Sequence, residues 1–419
     1  MAEDDGAAEE DGHRPLQGPR RAMSSLCLVV LVAASILAAV SLSHQAAVLA
    51  AAAAQGSSGS GVALPAAIII FGDSLTDTGN VLNRSHCLVP TPQAYWLGRF
   101  SDGPVWADHL YTLAAAYNAS ANLTIQNYAH GGARACGLDP IRPPPGVVDL
   151  PDQISLYLAS APSAVADNGT VAAADGACLL PLQPVAPAAA INASSSAESG
   201  RAACRLFIME AGVNDLNFFA LKQTTDDPKT TFSQIGANIT ACRVAALDRL
   251  MAALVNSTSK QQRQQAISDG EGGGGCRDRI IVWNLPPLSF APLIPEASRS
   301  YLDDVIAAHN AGLEASLAPL RERYPEGPSL EVYDTNTVAT AVILEAGVVG
   351  LNSTAGCIKF KGEPGSSAYD KAMWLMTSSR RSDVCGQPSH YVSFDGIHPS
   401  SIIHSKAFAE PFATWLGWI

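Results

Sequence analysis

Charge is scarce in this chain. Of its 419 residues only 15% are Asp, Glu, Lys or Arg and only 6% are aromatic, and the net charge is -12. No basic stripe interrupts the acidic surplus. That excludes a nucleic-acid surface, which needs clustered Lys and Arg against phosphates. No Cys-X-X-Cys pair occurs among the 9 cysteines, which argues against a zinc site. A glycine cluster, Gly272 to Gly275, runs into Cys276-Arg277-Asp278 rather than Gly-Lys-Ser/Thr, so it reads as a flexible loop and not a phosphate loop. There is no internal repeat. What is abundant is apolar: 47% of the residues, enough for a globular core. The length admits two or three domains, or one large α/β domain with long loops.

The N-terminal 60 residues read as a leader. Residues 1 to 22 are acidic and rich in Gly and Ala; Arg20 and Arg21 then precede an apolar run from Leu26 to Leu42. His44 and Gln45 interrupt it, and small residues, Ala46 to Ala54, follow. Basic flank, apolar stretch and small-residue exit make a secretory signal. The alternative is a signal anchor, the one route by which a membrane would become a partner. The uninterrupted run is shorter than the ~20 residues that span hydrocarbon, which favours cleavage. Met23 as initiator would remove the acidic leader. Gly56 to Gly61 is a Gly/Ser linker, so residues 1–60 are leader and linker and 61–419 form the expected catalytic domain.

Two independent features support export. Asn-X-Ser/Thr sequons begin at Asn83, Asn118, Asn122, Asn168, Asn192, Asn238, Asn256 and Asn352, more than chance spacing gives. Cys27 lies in the signal, and the remaining cysteines (Cys87, Cys136, Cys178, Cys204, Cys242, Cys276, Cys357 and Cys385) are even in number, which favours disulfides of undetermined pairing.

Short apolar runs, Ala66 to Phe71, Leu206 to Met209, Ile280 to Trp283 and Leu330 to Tyr333, read as strands buried on both faces. Helical patterns at about 235–255 and 298–323 lie between them. Alternating strands and helices imply a parallel sheet with helices on both faces. Residues 161–203 and 259–276 break the pattern and read as surface insertions.

Four segments carry chemistry. Ser74, in Gly72-Asp73-Ser74-Leu75, follows the first strand, where open α/β sheets place ligands; it is expected at the surface, opening a helix or tight turn. Its plain alternative is a helix cap. In Asn127-Tyr128-Ala129-His130-Gly131-Gly132-Ala133 the paired glycines let a backbone N–H approach a ligand. Asn214, in Gly212-Val213-Asn214-Asp215, ends another strand and can offer its amide to an oxyanion. Asp395, three residues before His398, can reach the ring Nδ1–H and leave Nε2 to take a serine proton.

Together and in this order these segments resemble the GDSL esterase/lipase family of the SGNH hydrolase superfamily, and within it the plant-type lipases. Two further passages join the resemblance: Gly98-Arg99-Phe100-Ser101-Asp102-Gly103-Pro104-Val105-Trp106-Ala107-Asp108 and Asn284-Leu285-Pro286-Pro287-Leu288. It departs at the two insertions and at Ser289-Phe290. The resemblance implies a flavodoxin-like, three-layer α/β/α sandwich. It implies an esterase with Ser74, His398 and Asp395 as catalytic residues and an oxyanion hole from Ser74, Gly132 (or its neighbour Gly131) and Asn214. No metal or organic cofactor is expected. The partner is an ester substrate: a small molecule, a lipid or a polysaccharide. An acyltransferase using the same serine and a catalytically inactive binding member are the alternatives.

Overall fold

The computed structural model describes residues 64–118, 123–136, 146–160, 204–222, 227–257, 277–359, 370–371, 376–377 and 384–419. All lie within one compact unit, Leu49–Ile419. The expected leader, both expected insertions and the sequons at Asn122, Asn168 and Asn192 fall outside the described residues.

Five strands build the central sheet: β1 (Ala67–Phe71), β2 (Thr124–Asn127), β3 (Arg205–Met209), β4 (Arg279–Trp283) and β5 (Ser329–Tyr333). Their spatial order is β2-β1-β3-β4-β5, and every pairing is parallel. A parallel sheet is covered on both faces, which is why the strands are unbroken runs such as Ile68-Ile69-Ile70 rather than alternations. Ile70, Ile208 and Ile281 stand in register across three strands. The expected runs therefore form four of the strands. The edge strand β2 had no apolar signature to reveal it, since its sequence is TIQN and its residues are only half-buried or exposed.

Each sheet face buries its own core. Ile68, Ile70, Leu206, Ile208, Ile281 and Trp283 point to one side. There they meet α2 (Trp106–Tyr117), α7 (Thr335–Val348) and a C-terminal helical segment of three stretches, Ser401–Ile403, His404–Ala409 with π geometry, and Glu410–Trp415. Ile69, Phe71, Phe207, Met209, Ile280 and Val282 point to the other, against α3 (Leu150–Ser160), α5 (Pro228–Ser257) and α6 (Glu296–Arg323). The result is a three-layer α/β/α sandwich. Burying one such aliphatic side chain is worth about 1.5–3 kcal/mol, so the two periodic faces of five strands dominate the fold. A separate pair, β6 (Asn352–Gly356) and β7 (Tyr391–Ser393), runs parallel outside the main sheet.

The chain leaves β1 toward β2 on one side and returns to β3 on the other. The carboxyl end of β1 is therefore the switch point of the sheet, where the flanking connections diverge and open a crevice. Residue 72 onward sits there.

Disulfides join Cys136 to Cys242 and Cys357 to Cys385, and Cys87 and Cys204 are disulfide-bonded as well. Among the described residues no helix is long and apolar enough to cross a membrane.

The long helices α5 and α6 carry polar groups into the interior. Arg243 is fully buried and donates to the Trp283 carbonyl through Nη2 and to His309 Nε2 through Nη1, the latter at 3.2 Å. His309 Nδ1 lies 2.9 Å from Thr240 Oγ1. Burial, and then the adjacent Arg243 cation, push His309 down to about 3, so the folded protein keeps it neutral. Its ordinary value is 6.5. The unfolded chain thus takes up a proton below 6.5 that the folded chain refuses until about 3, and stability falls as pH drops through that window. His309→Gln removes this proton uptake. The melting temperature of the variant should fall less steeply than wild type between these limits, and identical slopes would show that His309 is not held neutral.

Candidate active site

The site begins with how the sheet delivers Ser74. Gly72, just past β1, donates its N–H to Gln153 Oε1 (3.0 Å) and accepts from Gln153 Nε2 (2.8 Å), so α3 fixes where the strand ends. A Cβ at Gly72 would sit 2.6 Å from the Glu210 carbonyl, which leaves room only for glycine. The chain then makes a tight turn in which the N–H groups of Thr76 and Asp77 both donate to the Asp73 carbonyl, at 3.1 and 2.9 Å. Ser74 rides on this turn. It is 4% exposed, so the expected surface serine is instead buried at the floor of the crevice.

The C-terminal loop reaches it. His398 Nε2 is 2.9 Å from Ser74 Oγ across 324 residues of chain, and His398 Nδ1 is 2.6 Å from Asp395 Oδ2. An ionised carboxylate only accepts, so Nδ1 carries the ring proton and Nε2 faces the serine hydroxyl as acceptor. Asp395 is itself held: its Oδ1 takes the N–H groups of Ile397 (2.9 Å) and His398 (2.7 Å), and its Oδ2 takes the phenol of Tyr95 (2.7 Å). Burial works to raise the Asp395 carboxyl, but the His398 charge and these donors outweigh it and hold it below its ordinary range. Tyr95 moves the other way: burial, and then the Asp395 charge, push its phenol up, so it stays a donor.

The paired glycines are now distinguishable. Gly131 donates its N–H to Asp77 Oδ2 at 2.8 Å and is thereby spent. The Gly132 N–H and the Ser74 N–H have no acceptor among the described residues. Gly132 has φ +82°, the left-handed region that glycine enters at little cost. Gly131 is required for a different reason. A Cβ there would stand 2.1 Å from the ring of Phe100, which in turn lies against His398 with centroids 5.2 Å apart. Asp77 anchors the whole loop, since its carboxylate also takes the N–H groups of Gly79, Asn80 and Val81. Burial raises it to about 6 even so.

Asn214, at the start of α4 (Val213–Lys222), donates one amide N–H to the Ala133 carbonyl at 3.0 Å. The other N–H has no partner among the described residues. The neighbouring Asp215 accepts from the Ala135 N–H at 2.8 Å, and the Cys136–Cys242 disulfide ties the same loop to α5. Of the residues singled out in the sequence, hydrogen bonds thus join Ser74, His398 and Asp395, and Asn214 is tied through the Ala133 carbonyl to the loop that carries Gly132. Tyr95 and Phe100 were not recognised as parts of the site. Among the described residues no group of His, Cys, Asp and Glu could hold a metal ion.

The model of the family described as GDSL-like lipase/acylhydrolase matches residues 68–410. The phosphatidylcholine-sterol acyltransferase of Aeromonas hydrophila is 40% identical over 74 residues, 18% of this chain and 20% of that protein. The thermolabile hemolysin of Vibrio parahaemolyticus is 39% identical over 66 residues, 16% of this chain and 14% of that one. The chain thus matches a fifth or less of the length of these curated relatives. A solved structure from Parabacteroides merdae, described as a GDSL-like lipase, aligns over 86% of this chain and 99% of its own at 13% identity, with a TM-score of 0.38.

The contact between Gly131 and Phe100 yields a prediction. Gly131→Ala should push Phe100 into His398 and lower kcat by on the order of 100-fold, the usual cost of misplacing reacting groups by about an ångström. Phe100→Ala in the same chain should restore part of the loss. A Gly131→Ala enzyme with wild-type turnover on a p-nitrophenyl ester would contradict the packing described.

Proposed function

This chain belongs to the GDSL-like lipase/acylhydrolase family, and we propose that it is an exported carboxylic ester hydrolase that works through an acyl-enzyme on Ser74. The observation that carries this reading is the continuous hydrogen-bonded line Ser74–His398–Asp395, with contacts of 2.9 and 2.6 Å. A buried serine whose hydroxyl points at an imidazole acceptor, itself oriented by a carboxylate, is a nucleophile with its base in place.

In the proposed cycle His398 takes the Ser74 proton as Oγ attacks the ester carbonyl. The N–H groups of Ser74 and Gly132 and the free amide N–H of Asn214 receive the oxyanion. Each such donor is worth ~3 kcal/mol, or ~100-fold in turnover. His398 then protonates the departing alcohol, and water activated by the same ring releases the acid. Asp395 keeps the tautomer, and Tyr95 keeps Asp395. No step requires a metal or an organic cofactor.

The substrate class proposed is an ester of a small alcohol, a lipid or a polysaccharide. A second reading, acyl transfer to an alcohol, is supported by the segment shared with the Aeromonas acyltransferase. It differs only in what enters the acyl-enzyme, an alcohol or water. Product analysis with added glycerol separates the two: free acid as the main product supports hydrolysis, and acylglycerol formed in excess over acid supports transfer.

Export is proposed on the disulfides and the sequons. Asn83, Asn118, Asn238 and Asn256 are exposed, as glycosylation requires, and Asn352 is half-buried. Protein from a eukaryotic host should lose mass on endoglycosidase treatment and show few free thiols.

The mechanistic test is covalent labelling. A fluorophosphonate should attach to wild type at Ser74 and fail to attach to Ser74→Ala, whose melting temperature should stay near wild type. Undiminished ester hydrolysis by folded Ser74→Ala would overturn the proposal.

A further inference from the structure

Behind Ser74 lies a second acidic pair that the cycle above does not use. Asp73 and Glu210 are both buried, at 0% and 2% exposure. Glu210 follows β3 and reaches across to the nucleophile turn. Its Oε2 takes the Thr76 hydroxyl at 2.9 Å and, more loosely, the Asp73 N–H at 3.4 Å. The Trp106 indole N–H completes the line by donating to Thr76 Oγ1 at 3.0 Å. Asp73 Oδ1 takes the Leu75 N–H at 3.1 Å, but its Oδ2, equally buried, has no donor among the described residues. The Glu210 carboxyl, itself an acceptor, stands beside it: its Oε2 lies 3.4 Å from the Asp73 nitrogen, and the two side chains interact directly. Two buried carboxyl groups can face one another stably only with a proton between them.

Charge balance points the same way. The charged groups that bear on this pair are Arg243 on α5 and Asp215 on α4. Arg243 is wholly buried and its neighbour His309 is neutral, so one cation stands opposite three carboxyls, Asp73, Glu210 and Asp215. A proton retained by the pair lowers that surplus of negative charge. Burial, and then the Glu210 charge, raise Asp73 well above its ordinary range; burial also raises Glu210, although Thr76 and the Asp73 N–H work against it.

We propose that Asp73 stays protonated at Oδ2 and donates to Glu210, and that the pair is the positioning post of the nucleophile turn. Glu210 fixes the turn through Thr76 and the Asp73 N–H. The neutral Asp73 keeps negative charge off the residue next to Ser74, whose N–H must receive the oxyanion. An ionised Asp73 would oppose the charge developing there. The kinetic part of this inference rests on Ser74 being the nucleophile; the protonation part does not.

The experiment separates them. Infrared difference spectra at pH 8 should show the carbonyl stretch of a protonated carboxyl in wild type that is lost in Asp73→Asn. A spectrum that Asp73→Asn leaves unchanged overturns the proposal, whatever the enzyme catalyses. In kinetics, Glu210→Gln supplies an amide donor and lets Asp73 ionise, so kcat should fall about tenfold or more with KM little changed. Asp73→Asn keeps a neutral donor toward Glu210 and should lose clearly less. Equal losses in the two variants, both folded by melting temperature, would reduce the pair to packing and also overturn the proposal. If Glu210→Gln does not fold, the infrared comparison of wild type with Asp73→Asn decides alone.

Discussion

One contact constrains the rest of this molecule: the hydrogen bond between His398 and Ser74, 2.9 Å long and closed over 324 residues. A contact so distant along the chain exists only if the sheet is complete and the C-terminal loop is brought back to its switch point. Much of the structure outside the core serves that return. Phe394 donates its N–H to the His398 carbonyl (2.8 Å), and Ser393 Oγ donates to the same oxygen (3.0 Å). The β6–β7 pair and the Cys357–Cys385 disulfide back the loop, with Cys357 and Ile358 donating to Ser393 and Phe394. From the opposite side Ser101 Oγ donates to the Pro399 carbonyl (3.0 Å), and Asp102 takes the Ser401 N–H (2.7 Å). A Cβ at Gly103 would collide with Ser401 at 2.9 Å, so the clamp closes only over glycine.

The site is also an arrangement of acids under unequal pressure. Asp395 receives three donors and the His398 imidazole, which overcome its burial. Asp77 receives four backbone N–H groups and is still raised to about 6. Asp73 has one donor for two oxygens and must keep a proton. The difference between these buried aspartates is the count and charge of their donors, and it sorts them into an anion that orients His398, an anchor for the glycine loop, and a neutral neighbour of Ser74.

Much of this was legible in the sequence because its signals are local. Runs such as Ile68-Ile69-Ile70 announce a doubly buried strand, and the spacing of Asp395 and His398 announces a carboxylate–imidazole pair. Strand β2 was hidden because an edge strand needs no apolar run. The β6 sequence, Asn-Ser-Thr-Ala-Gly, is polar for the same reason. The burial of Ser74 was misjudged because Gly-Asp-Ser carries no hydrophobic signal; the His398 side chain that meets its hydroxyl comes from 324 residues away. Tyr95 and Glu210 were invisible for a related reason. Their partners lie 300 and 134 residues away, at Asp395 and Thr76, and only a folded chain makes them neighbours.

The central claim is that Ser74 and His398 share one proton-transfer step, and a double-mutant cycle tests it most directly. Ser74→Ala and His398→Ala should each lower kcat by several orders of magnitude, on the order of 10⁴ to 10⁶, and the double variant should lose little more than either alone, because residues acting as one unit are not additive. Losses that multiply in the double variant would contradict the account and return His398 to a structural role.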